Sequence, residues 1–162
     1  MTLYETRQYL RYKRKAKGRH GTHSPFVYAL VEDILTKPTD EAALTYKLMH
    51  YFGIKKAYGI TRKEALTTPQ KAAGGNKVCA FEFNQFLLLE NVTEYSPDDI
   101  LTGLAPNDIL AVKPLYKNEC YTRQWELLKA HPNVKMSIDF FDLGLLLFRE
   151  EFKEKQHFIL RH

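Results

Sequence analysis

The stretch DILAVKPLYKNECYTRQWELLKAHPNVKMSIDFFDLGLLLFR, residues Asp108–Arg149, decides the fold. Asp108–Lys113 is a short apolar run between Pro106-Asn107 and Pro114, which marks a buried strand. Asn118–Ala130 places Tyr121, Trp125 and Leu128 on one helical face and stops at His131-Pro132. Val134–Asp139 alternates as a strand, Phe140–Gly144 turns, and Leu143–Arg149, apolar throughout, makes the next strand. A last short strand is expected over Phe158–Arg161. Strand, helix and closely spaced final strands predict an α/β sheet that ends in an antiparallel hairpin at one sheet edge.

Working back from that stretch, Ser96-Pro97-Asp98-Asp99 starts a helix that runs to about Leu104. Lys77–Phe83 (KVCAFEF) reads as a strand with Glu82 at its centre, and Lys56–Thr61 (KAYGIT) as a shorter one. Phe86–Leu89 fits either the opening of a helix or irregular apolar chain. Thr61–Ala73 reads as a weak helix or loop closed by Gly74-Gly75. The first third is helical: residues 2–17, then a helix that Ser24 caps and Pro25 opens, with Phe26, Val27, Leu30, Val31 and Ile34 at helical spacing. That helix stops at Thr36, before Pro38. Thr39 or Asp40 caps a third helix bearing Leu44, Leu48, Met49 and Phe52, which Gly53 ends. The expected organisation is an N-terminal helical extension over residues 1–52 and an α/β domain over 53–162, forming one compact unit.

Composition narrows the class. The chain has 162 residues, 44% hydrophobic and 13% aromatic, which excludes a disordered chain. No apolar run approaches the ~20 residues of a membrane span, and MTLYETRQYLRYKRK has no apolar stretch after its charges, unlike a secretory signal. Cys79 and Cys120 have no short Cys/His spacing around them, which argues against a disulfide scaffold or zinc site and for the cytoplasm.

Charge is concentrated at one end. Arg7, Arg11, Lys13, Arg14, Lys15, Lys17 and Arg19 face one acid, Glu5, so residues 1–20 carry +6 while the whole chain carries +5. Tyr4, Tyr9 and Tyr12 lie among these cations. One reading is a nucleic-acid arm, in which rings stack and cations meet phosphates. The other is an amphipathic helix with Leu3, Tyr4 and Leu10 on a packed face and the cations solvated.

No strand leads into G-x-G-x-x-G, and there is no P-loop, nucleophile elbow, HExxH or CxxC. His20 and His23 flank Gly21 at a spacing that suits a metal ligand pair or proton relay; with no third ligand nearby, a structural role at the helix junction, with His23 bonded to backbone, is the stronger expectation, and no metal is expected. Asp139 and Asp142 read as solvated turn residues. Cys120 reads as a small core residue. Glu82 is an acid that a strand can carry to its carboxyl end, where open α/β sheets bind ligands.

Two blocks resemble a known family. YLRYKRKAKGRHGTHSPFVYALVEDIL (residues 9–35), with its Arg-His-Gly-x-His-Ser-Pro-Phe core, and WELLKAHPNVKMSIDFFDLGLLLFREEFKEKQHFILRH (residues 125–162) are similar to bacterial class I S-adenosylmethionine-dependent methyltransferase-like proteins of the O-methyltransferase type. The resemblance implies a Rossmann-like sheet behind an N-terminal helical segment, with SIDFF, LGLLLF and KQHFILR as its last strands and closing segment. The middle departs from the family pattern. The family places an acidic-leucine-glycine turn after its first strand; here Tyr58 and Gly59 are followed by Ile60, Thr61 and Arg62, and Arg62 suits an anion. Lys113-Pro114 stands where the family carries an acidic pair. The chain is also shorter, with the deficit between residues 60 and 95.

The resemblance therefore implies a truncated methyltransferase sheet with a degenerate cofactor site near Tyr58, Gly59, Thr61, Glu82 and Lys113. The expected function is non-catalytic, through a protein partner or homo-oligomer, with no cofactor and no membrane partner. The alternatives are nucleic-acid binding through the basic segment, and an active methyltransferase that binds S-adenosylmethionine at an atypical site.

Overall fold

Asp108–Val112 is a strand (β4) buried at all five positions, because helices cover both faces of the sheet around it. The computed structural model describes residues 1–18, 23–34, 41–60, 65–67 and 79–161. In chain order its elements are α1 (Leu3–Lys15), α2 (Pro25–Ile34), α3 (Glu41–Tyr51), β1 (Lys56–Gly59), β2 (Ala65–Thr67), β3 (Gln85–Leu89), α4 (Pro97–Leu101), β4, α5 (Glu119–Ala130), β5 (Met136–Asp139), β6 (Gly144–Leu147) and β7 (Gln156–Ile159).

These strands form one seven-stranded mixed sheet in the order β2-β1-β3-β4-β6-β5-β7. β1, β3 and β4 are parallel. β6 runs against both β4 and β5, and β7 lies parallel to β5. β1, β3, β4, β5 and β7 thus share one carboxyl edge. Side chains alternate across the pleat. Ile109 and Ala111 join α2 and α3 in one apolar cluster with Val27, Leu30, Leu44 and Leu48. Leu110 and Val112 join α4 and α5 in another, with Ile100, Trp125 and Leu128.

Local signals explain most boundaries. Ser24 Oγ accepts from the Val27 N–H at 3.4 Å, Ser96 Oγ from Asp99 N–H, and Asn118 caps α5 through Tyr121 N–H. Gly53 ends α3 at φ +70°, with Ile54 N–H donating to Met49 O and Gly53 N–H to His50 O, the paired bonds of a glycine-closed helix end. Thr39, Asp40, Thr36 and Pro38 lie outside the described residues, as do Gly74-Gly75 and all of Thr61–Ala73 except Ala65–Thr67.

Several expectations are corrected. The antiparallel hairpin forms, but not at a sheet edge: β6 inserts beside β4, and β7 covers the outer side of β5. β7 itself starts and ends two residues earlier than Phe158–Arg161. Of the strand expected over Lys77–Phe83, Lys77 and Val78 lie outside the described residues and Cys79–Phe83 form no strand; the strand here is Gln85–Leu89. Phe81 and Phe83 instead pack laterally: Phe81 on Phe26 and Phe152, Phe83 on Phe52. Ala65–Thr67 is a strand antiparallel to β1 where a weak helix or loop was expected. The helix begun at Ser96 stops at Leu101.

Candidate functional site

The structure brings Tyr58, Gly59 and Lys113 to the carboxyl edge of the central parallel strands. The ladder continues a step past each strand: Ile60 N–H donates to Leu88 O and Lys113 N–H to Leu89 O, both at 3.0 Å. Lys113 Nζ lies 3.8 Å from Glu90 Oε1, the first carboxylate beyond β3. Ile60 turns onto the apolar cluster beneath α4 and α5, and Tyr58 is exposed. Thr61 and Arg62 lie outside the described residues.

Glu82 does not join them. It is exposed and precedes β3, so it sits at the opposite edge, where Arg149 Nη1 donates to its carbonyl at 2.6 Å and to Asn107 Oδ1 at 2.8 Å. The acid at the expected edge is Glu90. Placing it needed the strand QFLLL, whose run of Phe and Leu directly before Glu90-Asn91 was the available signal.

Farther along the same edge, Asp139 ends β5. It is 3% exposed, against the expectation of a solvated turn residue. Tyr116 OH donates to Asp139 Oδ2, and Phe141 N–H donates to Oδ1 at 2.7 Å. Burial raises the Asp139 carboxyl above its ordinary range, opposed by these two bonds. Burial and the adjacent carboxylate also raise the Tyr116 phenol. Phe141 has φ +74°, a conformation uncommon for a bulky residue. Its ring is held by Tyr116, stacked at 5.2 Å, and by Tyr9 and Tyr12 at 5.1 and 5.3 Å. Both carboxylate oxygens are engaged and aromatic rings cover them, so this cluster anchors α1 and offers no accessible acid or base.

The anchoring settles which face of α1 is which. A capping box of Thr2 and Glu5 starts the helix. Tyr4 OH donates to Thr122 Oγ1 at 2.9 Å, and Tyr12 OH donates to the Leu160 carbonyl. Tyr4 and Tyr12 therefore face inward, and Tyr9 is half-buried, with one edge on Phe141 and Lys13 over its ring. Leu3 and Leu10, expected on the packed face, are 82% and 54% exposed. Arg7, Arg11, Lys13, Arg14, Lys15 and Lys17 are exposed; Arg19 lies outside the described residues. The chain brings the expected cations together on the outward side of α1, with exposed Leu3 and Leu10 among them and Lys13 Nζ 4.8 Å from the Tyr9 ring centroid.

Beyond α1 an open cleft of about 390 Å³ runs along β7, lined by Lys15, Lys17, His23, Ser24 and Gln156–Leu160. Lys17 N–H donates to Ile159 O at 2.8 Å and Arg161 N–H to Lys17 O at 3.2 Å, so Lys17 makes a single parallel bridge on the outer side of the strand. His157 Nδ1 lies 2.7 Å from Ser137 Oγ. Burial, then Lys129 and Lys155, lower the His157 imidazole below its ordinary value. His23 lines this cleft; His20 and the rest of the junction at residues 19–22, where its expected backbone bond falls, lie outside the described residues. Among the described residues no three His, Cys, Asp or Glu side chains converge to hold a metal. Cys79 is buried and Cys120 exposed; the latter corrects its expected place in the core, since it sits in the first turn of α5 away from Tyr121 and Trp125.

Compared with known proteins, the chain matches no family model, no curated protein and no solved structure. Among the described residues no helix is long and apolar enough to cross a membrane.

Proposed function

We propose that the chain is a non-catalytic, methyltransferase-like protein of Rossmann-like architecture that works through protein contacts. The observation that carries this reading is the Lys113–Glu90 ion pair. It occupies the carboxyl ends of β3 and β4, where an open α/β sheet receives its ligand. Among the described residues the carboxylate at the ends of these central strands is Glu90, which is paired with a lysine, and Ile60 follows Gly59 in place of a further glycine. These residues do not fit an adenosyl group. The tail that resembles the family's last two strands forms β5 and β6 as a hairpin, which supports the architectural part of the reading.

Calorimetry with S-adenosylmethionine and with S-adenosylhomocysteine tests it. The expected result is no binding tighter than about millimolar. Tighter binding reverses the reading in favour of an active methyltransferase with an atypical cofactor site.

A nucleic-acid reading is favoured by one observation: Arg7, Arg11 and Arg14 project outward and have no side-chain partner among the described residues. It requires an affinity whose logarithm falls linearly with the logarithm of salt, by about 0.9 per phosphate contact. Arg7→Glu with Arg11→Glu removes that slope if the reading holds; a salt-insensitive or absent interaction removes the reading.

A further inference from the structure

We propose that the cleft beside β7 docks an extended acidic segment of a partner protein, which adds as a parallel strand to the sheet edge. This rests on the protein-contact reading and names its surface. β7 is the last strand of the sheet. Gln156 N–H and Leu160 N–H donate to Lys135 O and Asp139 O of the β5 side. By the two-residue period of a strand, the backbone groups of His157 and Ile159 therefore point away from β5, toward the cleft.

Among the described residues no strand pairs with the outer side of β7, and such an edge is a template for another chain. Lys17 already uses the far end of this template, with one bond into Ile159 O. The remaining edge, from Gln156 to Ile159, faces the cleft. At about 3.3 Å per residue this four-residue edge accommodates roughly four residues of extended chain.

Charge selects the occupant. Lys15 and Lys17 line the cleft, are exposed and have no side-chain partner among the described residues. His23 lines the same cleft. Strand addition supplies main-chain affinity, and cations on the rim favour acidic side chains and disfavour basic ones. A nucleic acid fits less well, because the groups that face the cleft from β7 are peptide donors and acceptors rather than a phosphate-tracking row of cations.

The test titrates the full chain with a synthetic peptide of about eight alternating Glu and Val residues, read by amide chemical shifts and hydrogen exchange. Saturable binding with slowed exchange at His157 and Ile159 supports the proposal. So does a roughly tenfold weaker affinity of the K15E/K17E double variant, the combined effect of two exposed ion pairs. A peptide N-methylated at alternate amides keeps its charge but cannot complete a ladder, so it must fail to bind. Equal binding of that peptide, or equal shifts produced by inorganic phosphate alone, overturns strand addition in favour of a small-anion site. Shifts confined to Arg7, Leu10 and Arg11, or no shifts, also overturn it. In each case, continued silence toward S-adenosylmethionine leaves the non-catalytic reading standing, whereas methyl-donor binding defeats that reading whatever the cleft does.

Discussion

Gly144 lies directly beneath the indole of Trp125: a Cβ built on Gly144 would come within 2.5 Å of Cη2 and 2.8 Å of Cζ2. Trp125 is fully buried, and a rigid ring packed among Leu110, Val112 and Leu146 has no free end to swing aside. The absence of a side chain at the start of β6 is what lets α5 settle onto the sheet.

Gly144→Ala is therefore expected to destabilise the fold by about 2 kcal/mol, the usual scale of overpacking. Chemical denaturation measures it. Trp125→Phe in the same chain shortens the ring and should recover part of the loss, so the double variant is less unstable than the two single effects added together. Additive losses would show that the contact is not the cause.

Asp139 sets one pH dependence. Its carboxyl titrates higher in the folded chain than its ordinary 3.8, so above that value the folded state holds a proton that the unfolded chain has released. Stability from this group is complete in acid and declines as pH rises from about 3.8 through the folded value. Asp139→Asn should remove that decline, visible as a flatter denaturation midpoint across the same window. Tyr116→Phe should lower stability by about 1–3 kcal/mol, because the carboxylate loses a buried donor.

His157 has the opposite sign. Its imidazole is lowered from 6.5, so near that pH the unfolded chain binds more protons than the folded one. Stability rises as pH climbs from the folded value through 6.5 and then levels off. His157→Gln should flatten this rise while leaving the plateau little changed; an undiminished rise would assign it to another group.

Tyr12 carries the docking of α1. It is buried, contacts Phe141 and donates to Leu160 O. Tyr12→Ala should cost about 3 kcal/mol, the scale of removing a buried ring, and speed hydrogen exchange throughout α1 more than in α5. Arg11→Ala, on the outward face, should change stability by less than about 0.5 kcal/mol.

The second half of this architecture was legible because its signals are local. Pro106-Asn107 and Pro114 bracket β4, Asn118 caps α5, and each of these marks acts within a few residues. The hairpin was legible too, but its place in the sheet was not, since no periodicity states which existing strand a hairpin joins. β3 was misplaced because KVCAFEF and NQFLLL have similar apolar content, and only the lateral ring contacts of Phe81 and Phe83 separate them. The α1 face was misread for a related reason: tyrosines beside cations suit either solvent or a packed aromatic cluster, and Phe141, far away in sequence, decides between them. Of the residues expected to gather at one edge, Tyr58, Gly59 and Lys113 lie at the carboxyl ends of β1 and β4, Glu82 lies at the opposite edge, and Thr61 lies outside the described residues; Glu90 was hidden by the misplaced strand.

The insertion of β6 beside β4 also fixes an order of assembly. While the chain is being synthesised, β3 and β4 can pair as soon as both have emerged, yet the other side of β4 has no partner until residues 144–147 follow. Until then a strand buried at all five positions in the finished fold presents an open border to any neighbouring chain. Protection of the nascent polypeptide over that interval, by slow release or by a chaperone, falls on one stretch: the loop, α5 and β5 that must pass before the gap is filled.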